Sequence, residues 1–394
     1  MFRIFYAEKD ATLYEQYENT NTGIDEVLEI GKRLQPDGSV KKSRSVVRFD
    51  MAEVSTAISK YNIDLSQAKV VLQLYTTHAK NLPAKFTIDA KIVAQPWENG
   101  TGFYSDTTAV ADGVSWAMPY STWSMDSKTS NMWISSSQNI RVNNSSLLVE
   151  GAGKGGSWLI QSGSSGTFNT SSFNQSYFTQ GGLNITVGNM SLQPTDIYMD
   201  VTEAVRLWIS GSGGQAIENN GFLLKFSDAN EADNSNVGYI RYFSRETHTI
   251  YVPKLVLLWD NRTFETGSLS VANLESYSIY TGVKPAYKDT EIAKIRVYAR
   301  DKYPRKSPTN LFPYETVKFL PTTTYYSVTD AATDETIIPY DDIYTKVSCD
   351  ETSNFIYMDM NGFMPERNYR LQLKIVDGFT EQYIDDQIYF KVTR

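Results

Sequence analysis

The chain has 394 residues, with 37 Lys and Arg against 45 Asp and Glu; the formal net charge of −8 leaves no basic excess to displace counterions from nucleic-acid phosphates. Two histidines, His78 and His248, and one cysteine, Cys349, exclude a disulfide scaffold, a Cys/His zinc module and an iron–sulfur protein. A 13% aromatic content with 26 tyrosines favours strands and interfaces over helical bundles, and no apolar run approaches the ~20 residues of a membrane span.

The opening segment Met1–Asp10 has no basic region followed by a long apolar core, so it is not expected to act as a secretory signal. From there the apolar pattern has period two. Val47, Phe49 and Met51 alternate with Arg48 and Asp50. Val70, Leu72 and Leu74 alternate with Val71, Gln73 and Tyr75, and Phe86, Ile88, Ala90 and Ile92 alternate with Thr87, Asp89 and Lys91. Phe222-Leu224-Phe226, Tyr239-Arg241-Phe243 and Leu255-Leu257-Trp259 continue it. Such alternation predicts antiparallel strands with one buried face, separated by Gly, Asn, Asp and Ser turns.

One helix is predicted. Asp200 can cap it, Glu203 can complete a capping box, and Val205, Trp208 and Ile209 share a face before Gly211 stops it.

Asp126 to Pro194 is expected to be a long polar insertion. Between Gln161 and Gly182, 15 of 22 residues are Ser, Thr, Gly or Asn, with Phe168, Phe173, Tyr177 and Phe178 among them. Those aromatics are candidates for a subunit interface; a surface insertion with no partner is the alternative.

After Asp260 the alternation restarts. Ile295, Val297 and Ala299 interleave with Arg296 and Tyr298; Tyr369, Leu371, Leu373 and Ile375 interleave with Arg370, Gln372 and Lys374; Ile388, Phe390 and Val392 follow. Six prolines from Pro304 to Pro365 punctuate the stretch. The fold expected is therefore all-β: a β-sandwich over residues 1–260 with a short helix and the insertion, then an immunoglobulin-like β-sandwich over 261–394, joined by a linker near Asn261–Gly267.

The chemistry available is thin. There is no G-x-S-x-G, H-E-x-x-H or Walker motif, and Gly151–Gly156 (GAGKGG) lacks phosphate-loop spacing. Asp10, Asp50, Glu98, Asp200 and Glu246 are carboxylates of the type glycoside hydrolysis pairs, yet capping turns or pairing with Arg48, Arg206 or Arg245 explains them as well. No catalytic residue is expected. Ser227–Asn236 (SDANEADNSN) places Asp228, Asn230 and Asp233 at the short spacing of hard oxygen ligands, a possible calcium loop or a polar hairpin; no other cofactor is implied. Trp97, Trp116, Trp123, Trp133 and Trp158 are candidates for stacking on sugar rings, with packing beneath loops the alternative; Trp208 and Trp259 sit on apolar faces and are expected in the core.

Ordered segments carry a resemblance. FYAEKDATLYE, SRSVVRFDM (Ser43–Met51), QPWENGTG (Gln95–Gly102), MDVTEAVRLWISG (Met199–Gly211), NNGFLLKFS (Asn219–Ser227), RYFSRE (Arg241–Glu246) and PKLVLLW (Pro253–Trp259) together resemble the DNRLRE family over about 260 residues. This implies a jelly-roll-like β-sandwich akin to carbohydrate-binding modules. The C-terminal stretch from YYSVTDAATDETIIPYDDIY to IYFKVTR, with NTGIDEVLEIG (Asn21–Gly31), resembles structural proteins of T4-like tailed phages. That resemblance implies a non-enzymatic virion component of tail, neck or baseplate, assembled in the host cytoplasm as a homo-oligomer with other virion proteins. Recognition of host surface polysaccharide is the alternative. Neither resemblance implies a particular binding residue.

Overall fold

A computed structural model describes residues 1–82, 86–104, 112–120, 132–135, 139–142, 145–160, 179–181, 196–209, 217–235, 237–263, 277–313, 318–377 and 380–394. The fold is all-β, as the alternation predicts. The chain divides into two compact units, a larger one of Phe5–Leu65 and Lys69–Val256, and a smaller one of Met1–Ile4, Ser66–Ala68 and Leu257–Arg394. The expected division at 260/261 thus gains residues from the N-terminus. The reason is packing: Phe2 meets Phe363 edge-on at 5.5 Å, Arg3 pairs with Asp359 at 3.7 Å, and Gly362 lies close against Ile4. The expected linker falls largely outside the described residues.

In chain order the strands are β1 (Phe2–Tyr14), β2 (Val27–Leu34), β3 (Val40–Phe49), β4 (Lys69–Leu74), β5 (Thr76–Lys80), β6 (Thr87–Ile92), β7 (Asn139–Val142), β8 (Ser145–Gly151), β9 (Ser157–Ile160), β10 (Thr179–Gly181), β11 (Ile197–Asp200), β12 (Phe222–Phe226), β13 (Tyr239–Phe243) and β14 (Lys254–Leu258). They continue with β15 (Tyr277–Thr281), β16 (Ala286–Lys288), β17 (Ile292–Asp301), β18 (Thr324–Asp330), β19 (Thr336–Ile338), β20 (Ser348–Cys349), β21 (Asn354–Asp359), β22 (Arg367–Asp377) and β23 (Thr380–Thr393). Three α-helices, α1 (Met51–Tyr61), α2 (Thr202–Ile209) and α3 (Asp228–Ala232), occur among the described residues.

The eleven-stranded sheet runs β10-β6-β12-β3-β1-β14-β4-β11 and branches at β3 into β2, β13 and β5. The branch arises because β3 pairs through Val40–Ser43 with β2 and through Ser43–Phe49 with β1, all antiparallel. A separate antiparallel ribbon, β7-β8-β9, lies within the predicted insertion.

The central strands correct one expectation. β12 is buried at every position, Lys225 included, and Arg44, Ser45, Asp89 and Lys91 are buried on its neighbours. Both faces are covered here, and sequence-distant segments bearing Trp97, Trp116, Trp133 and Trp158 pack over one of them with Ala11, Leu13, Val46 and Leu223. The polar member of each alternating pair is therefore enclosed too.

Helix α1 replaces the expected strand end at Met51. Asp50 accepts the Ala52 N–H at 2.8 Å, and the left-handed Asn62 (φ 49°) terminates the helix. In α2 the Asp200 carboxylate holds the Thr202 N–H at 3.0 Å as expected, but Glu203 pairs with Arg206 rather than closing a capping box. Ala204, Val205 and Trp208 are buried; Gly211 lies outside the described residues.

The smaller unit contains a four-stranded sheet, β15-β17-β21-β20, and a five-stranded sheet, β16-β23-β22-β18-β19. In β17 and β22 the alternation reads directly, whereas β18 is buried at every position. Ile295, Val297 and Ala299 are buried while Arg296 and Tyr298 are half-buried, and Tyr369, Leu371, Leu373 and Ile375 are buried.

Candidate functional site

The tryptophan candidates do not form a sugar platform. Trp97, Trp116, Trp133 and Trp158 are all buried, and Trp97 and Trp133 donate their indole N–H to Asn220 O at 2.8 Å and Ser115 O at 3.1 Å. Trp123 lies outside the described residues. The burial has an electrostatic reason beside the apolar one. Arg44 stacks its guanidinium 5.1 Å from Trp116 and 5.5 Å from Trp158, and the Lys225 ammonium lies 5.0 Å from Trp158, so the negative indole faces cover buried cations. Glu231 supplies the counter-charge. Arg44 donates Nε and Nη2 to it at 2.9 and 2.6 Å, and Lys225 stands 3.3 Å away. Burial alone would raise the Glu231 carboxyl; the Arg44 fork outweighs it and holds the group below its usual range.

The glycine loop once compared with a phosphate loop serves this cluster. Gly155, at φ +72°, donates its N–H to Trp116 O and accepts Arg44 Nη1 at 2.6 Å; a side-chain carbon there would lie 2.8 Å from the Trp116 ring. Glycine is required by the close approach.

The possible calcium loop is a short helix fastened by lysines. Asp228 pairs with Lys225, Asn230 Oδ1 accepts the Thr87 N–H at 2.9 Å, and Asp233 accepts the Ser235 N–H at 2.9 Å. The Lys32 ammonium donates to the backbone carbonyls of Asn230 and Asp233, so a side-chain cation serves the loop that was weighed as either a calcium site or a polar hairpin. Among the described residues no group of three or more His, Cys, Asp or Glu could hold a metal ion. Phe168, Phe173, Tyr177 and Phe178 lie outside the described residues.

The carboxylate candidates are dispersed among structural duties. Asp50 and Asp200 cap helices, Glu98 pairs with Lys9 at 3.1 Å, and Glu246 pairs with Arg245 at 3.4 Å. Asp10 is buried; its Oδ2 accepts the Arg245 N–H at 2.6 Å, and burial pushes its carboxyl up to about 7. His78 and His248 are both exposed.

Two phrases noted in the sequence, Asn21-Thr22-Gly23 and Asn99-Gly100-Thr101-Gly102, form one latch. Buried Asn21 donates to Asn99 O and Val114 O, each at 2.8 Å, and accepts from Gly23 N–H at 3.1 Å and Gly102 N–H at 2.8 Å.

Two surfaces were not foreseen. On the larger unit, wholly buried Glu29 holds Arg33 and, at 2.9 Å, Arg241; both guanidiniums stack on Tyr239, at 4.2 and 5.3 Å. Tyr104 lies beside them, its ring 4.6 Å from Tyr14 and 5.6 Å from the exposed Tyr17. Glu29, Arg33, Tyr239 and Arg241 share one face at period two on β2 and β13, which is the signal that could have revealed them. On the smaller unit, the loop after β17 bears Tyr303, Leu311 and Phe312, which are 87%, 61% and 56% exposed. Its tip is closed by reciprocal backbone bonds between Ser307 and Asn310. Lys302, Arg305 and Lys306 on the same loop make no hydrogen bond or ion pair among the described residues.

No protein-family model matches the chain, and no curated protein matches it. A solved structure, the adhesin domain of Epf from Streptococcus pyogenes, aligns over 98% of this chain and 91% of that chain at 8% identity. Its TM-score of 0.13 carries no argument about fold or function.

Proposed function

We propose that the chain is a non-enzymatic structural protein of a tailed-phage particle, a tail, neck or baseplate component that assembles as a multimer. The observation that carries this reading is the division of labour among its side chains. Buried charges are committed to internal fastening, as at Arg44–Glu231 and Glu29–Arg241, whereas the large apolar groups Tyr303 and Leu311 are exposed on one loop. Exposed apolar side chains beside cations that have no ion pair among the described residues are the equipment of a protein contact. The phage assignment itself rests on the C-terminal sequence resemblance.

The test is location. An antibody to the chain should label purified particles of the phage that encodes it at one fixed level, with a copy number in multiples of three, five or six. Its absence from particles would overturn the proposal.

A second reading, recognition of host surface polysaccharide, is favoured by the larger unit's Tyr17, Tyr104 and Arg241 face, because tyrosine rings and guanidiniums suit saccharide contacts. Binding to host polysaccharide that Tyr17→Ala abolishes without altering the melting temperature would establish it; binding unaffected by that substitution would reject this face.

A further inference from the structure

Within the smaller unit, one apolar surface is rimmed by bases and another by acids. The basic one is the loop just described: Tyr303, Leu311 and Phe312 with Lys302, Arg305 and Lys306. The acidic one forms where the segment after β19 meets β23. Tyr340 and Tyr383 approach edge-on at 5.9 Å, which places the exposed Ile343 and Tyr383 in one neighbourhood, 53% and 58% accessible. Around them stand Asp342, Glu381 and Asp385.

The acids differ in what they already hold. Glu381 pairs with Lys374 at 2.7 Å and accepts the Tyr383 hydroxyl at 2.8 Å, while Asp385 accepts from Gln372 at 2.9 Å and faces Arg370 at 3.9 Å. Asp342 is exposed and makes no ion pair among the described residues. β23 is also an edge here: β22 pairs with the Tyr383 stretch on one side, and on the other side β16 reaches only Lys391–Thr393, so that side of the stretch carries no strand among the described residues.

We infer that the occupant of the acidic patch is the basic loop of a second copy of this chain. The fit is chemical: aromatic and aliphatic tips meet Ile343 and Tyr383, while the loop cations, without an ion pair among the described residues, meet the carboxylate of Asp342. Each copy carries one loop and one patch, so two copies can close reciprocally about a two-fold axis or repeat head-to-tail into a ring or a filament. The inference rests on the reading that the chain assembles from copies of itself, and goes further by naming both surfaces.

Sedimentation velocity of the full-length chain tests it. Wild-type protein should self-associate in a concentration-dependent way, less at 500 mM than at 50 mM salt. Arg305→Glu with Lys306→Glu should weaken association at least tenfold, as should Asp342→Lys, each with the wild-type melting temperature. Mixing these two variants should restore complexes, since the reversed loop meets the reversed patch and each retains one native surface. Tyr303→Ser with Leu311→Ser should weaken association without changing its salt dependence. Wild-type self-association untouched by loop reversal would overturn this inference while leaving a multimeric role standing. A wild-type chain that stays monomeric at every concentration would overturn the inference and remove self-assembly from the functional reading. A mixture without rescue would show that loop and patch are not each other's partners.

Discussion

The larger unit encloses two clusters of paired charges, and the smaller unit leaves a set of cations exposed on one loop. Arg44, Lys225 and Glu231 are buried beneath two indoles, and Glu29 is wholly enclosed while holding two arginines. In the smaller unit Lys302, Arg305 and Lys306 project beside exposed apolar groups. A buried ion pair costs desolvation and yields mainly placement, so it cannot act on an external partner without exposing an uncompensated charge. An exposed cation beside an open aromatic has not yet lost its water, and association can still draw on both. The difference separates fastening chemistry from binding chemistry within one chain.

The comparison breaks most sharply at Arg44. Arg44→Ala leaves Glu231 enclosed with Lys225 3.3 Å away and removes the guanidinium from two indole faces. Loss of one partner of a buried pair should destabilise by about 3–5 kcal/mol, read as a shifted urea midpoint of tryptophan fluorescence. Because the Glu231 carboxyl lies below its usual value in the fold, the cluster's contribution is complete above the unfolded value near 4.5 and drains away as pH falls through the folded one. A mutant with an unchanged midpoint would mean the cluster fastens nothing.

Asn21 comes next. Asn21→Ala strands two carbonyls and two N–H groups of the latch, around a side chain that has no exposed surface. The expected cost is about 3 kcal/mol, with amide exchange accelerated first at Gly23 and Gly102. Uniform acceleration throughout the larger unit would instead make the latch part of its global core.

How far these residues could be read in advance differs by kind. β17 of the smaller unit was legible, since Ile295 and Val297 are buried and Lys294 and Arg296 are not, whereas β18 in the same unit is buried at every position. β12 was legible as a strand but not in its burial, because whether Lys225 is exposed depends on the indoles and α3 contributed from elsewhere in the chain. Local chemistry for α1 was present: Asp50 before Glu53, Val54 and Ala57 on one side, and Asn62 at the end. The period-two pattern just upstream outweighed it and extended a strand through Met51. For the tryptophans, sequence revealed an aromatic cluster but not which side of the surface it occupies. Hydrogen bonds to Asn220 and Ser115 are long-range contacts that no local pattern encodes. The basic loop carries no periodic signal at all, only prolines, so its exposed apolar side chains became a candidate only in three dimensions.

Asp10 sharpens the comparison through pH, because it is a buried carboxyl beside the backbone N–H of Arg245 rather than a guanidinium fork. Burial raises it to about 7, above its unfolded value of 3.8. Folding therefore takes up a proton between those values: this residue's contribution is fullest below pH 4, declines as pH rises toward 7 and is lost above it. Asp10→Asn keeps an acceptor without the charge. It should stabilise the protein at pH 8 by on the order of 2 kcal/mol, with the advantage gone by pH 4 in thermal melts. A substitution equally neutral at both values would show that the carboxyl is already ionised and solvated in the fold.

The smallest expected effect lies on the exposed loop, and it decides whether the two kinds of charge really differ. Arg305→Glu with Lys306→Glu removes no internal partner among the described residues, so the unfolding free energy should change by less than about 0.5 kcal/mol. The same inversion of sign at Arg44 would place a second carboxylate against buried Glu231 and should prevent folding altogether. If the loop variant proved as unstable as Arg44→Ala, its cations would be fastening groups after all, and burial would not be what sets the two regions apart.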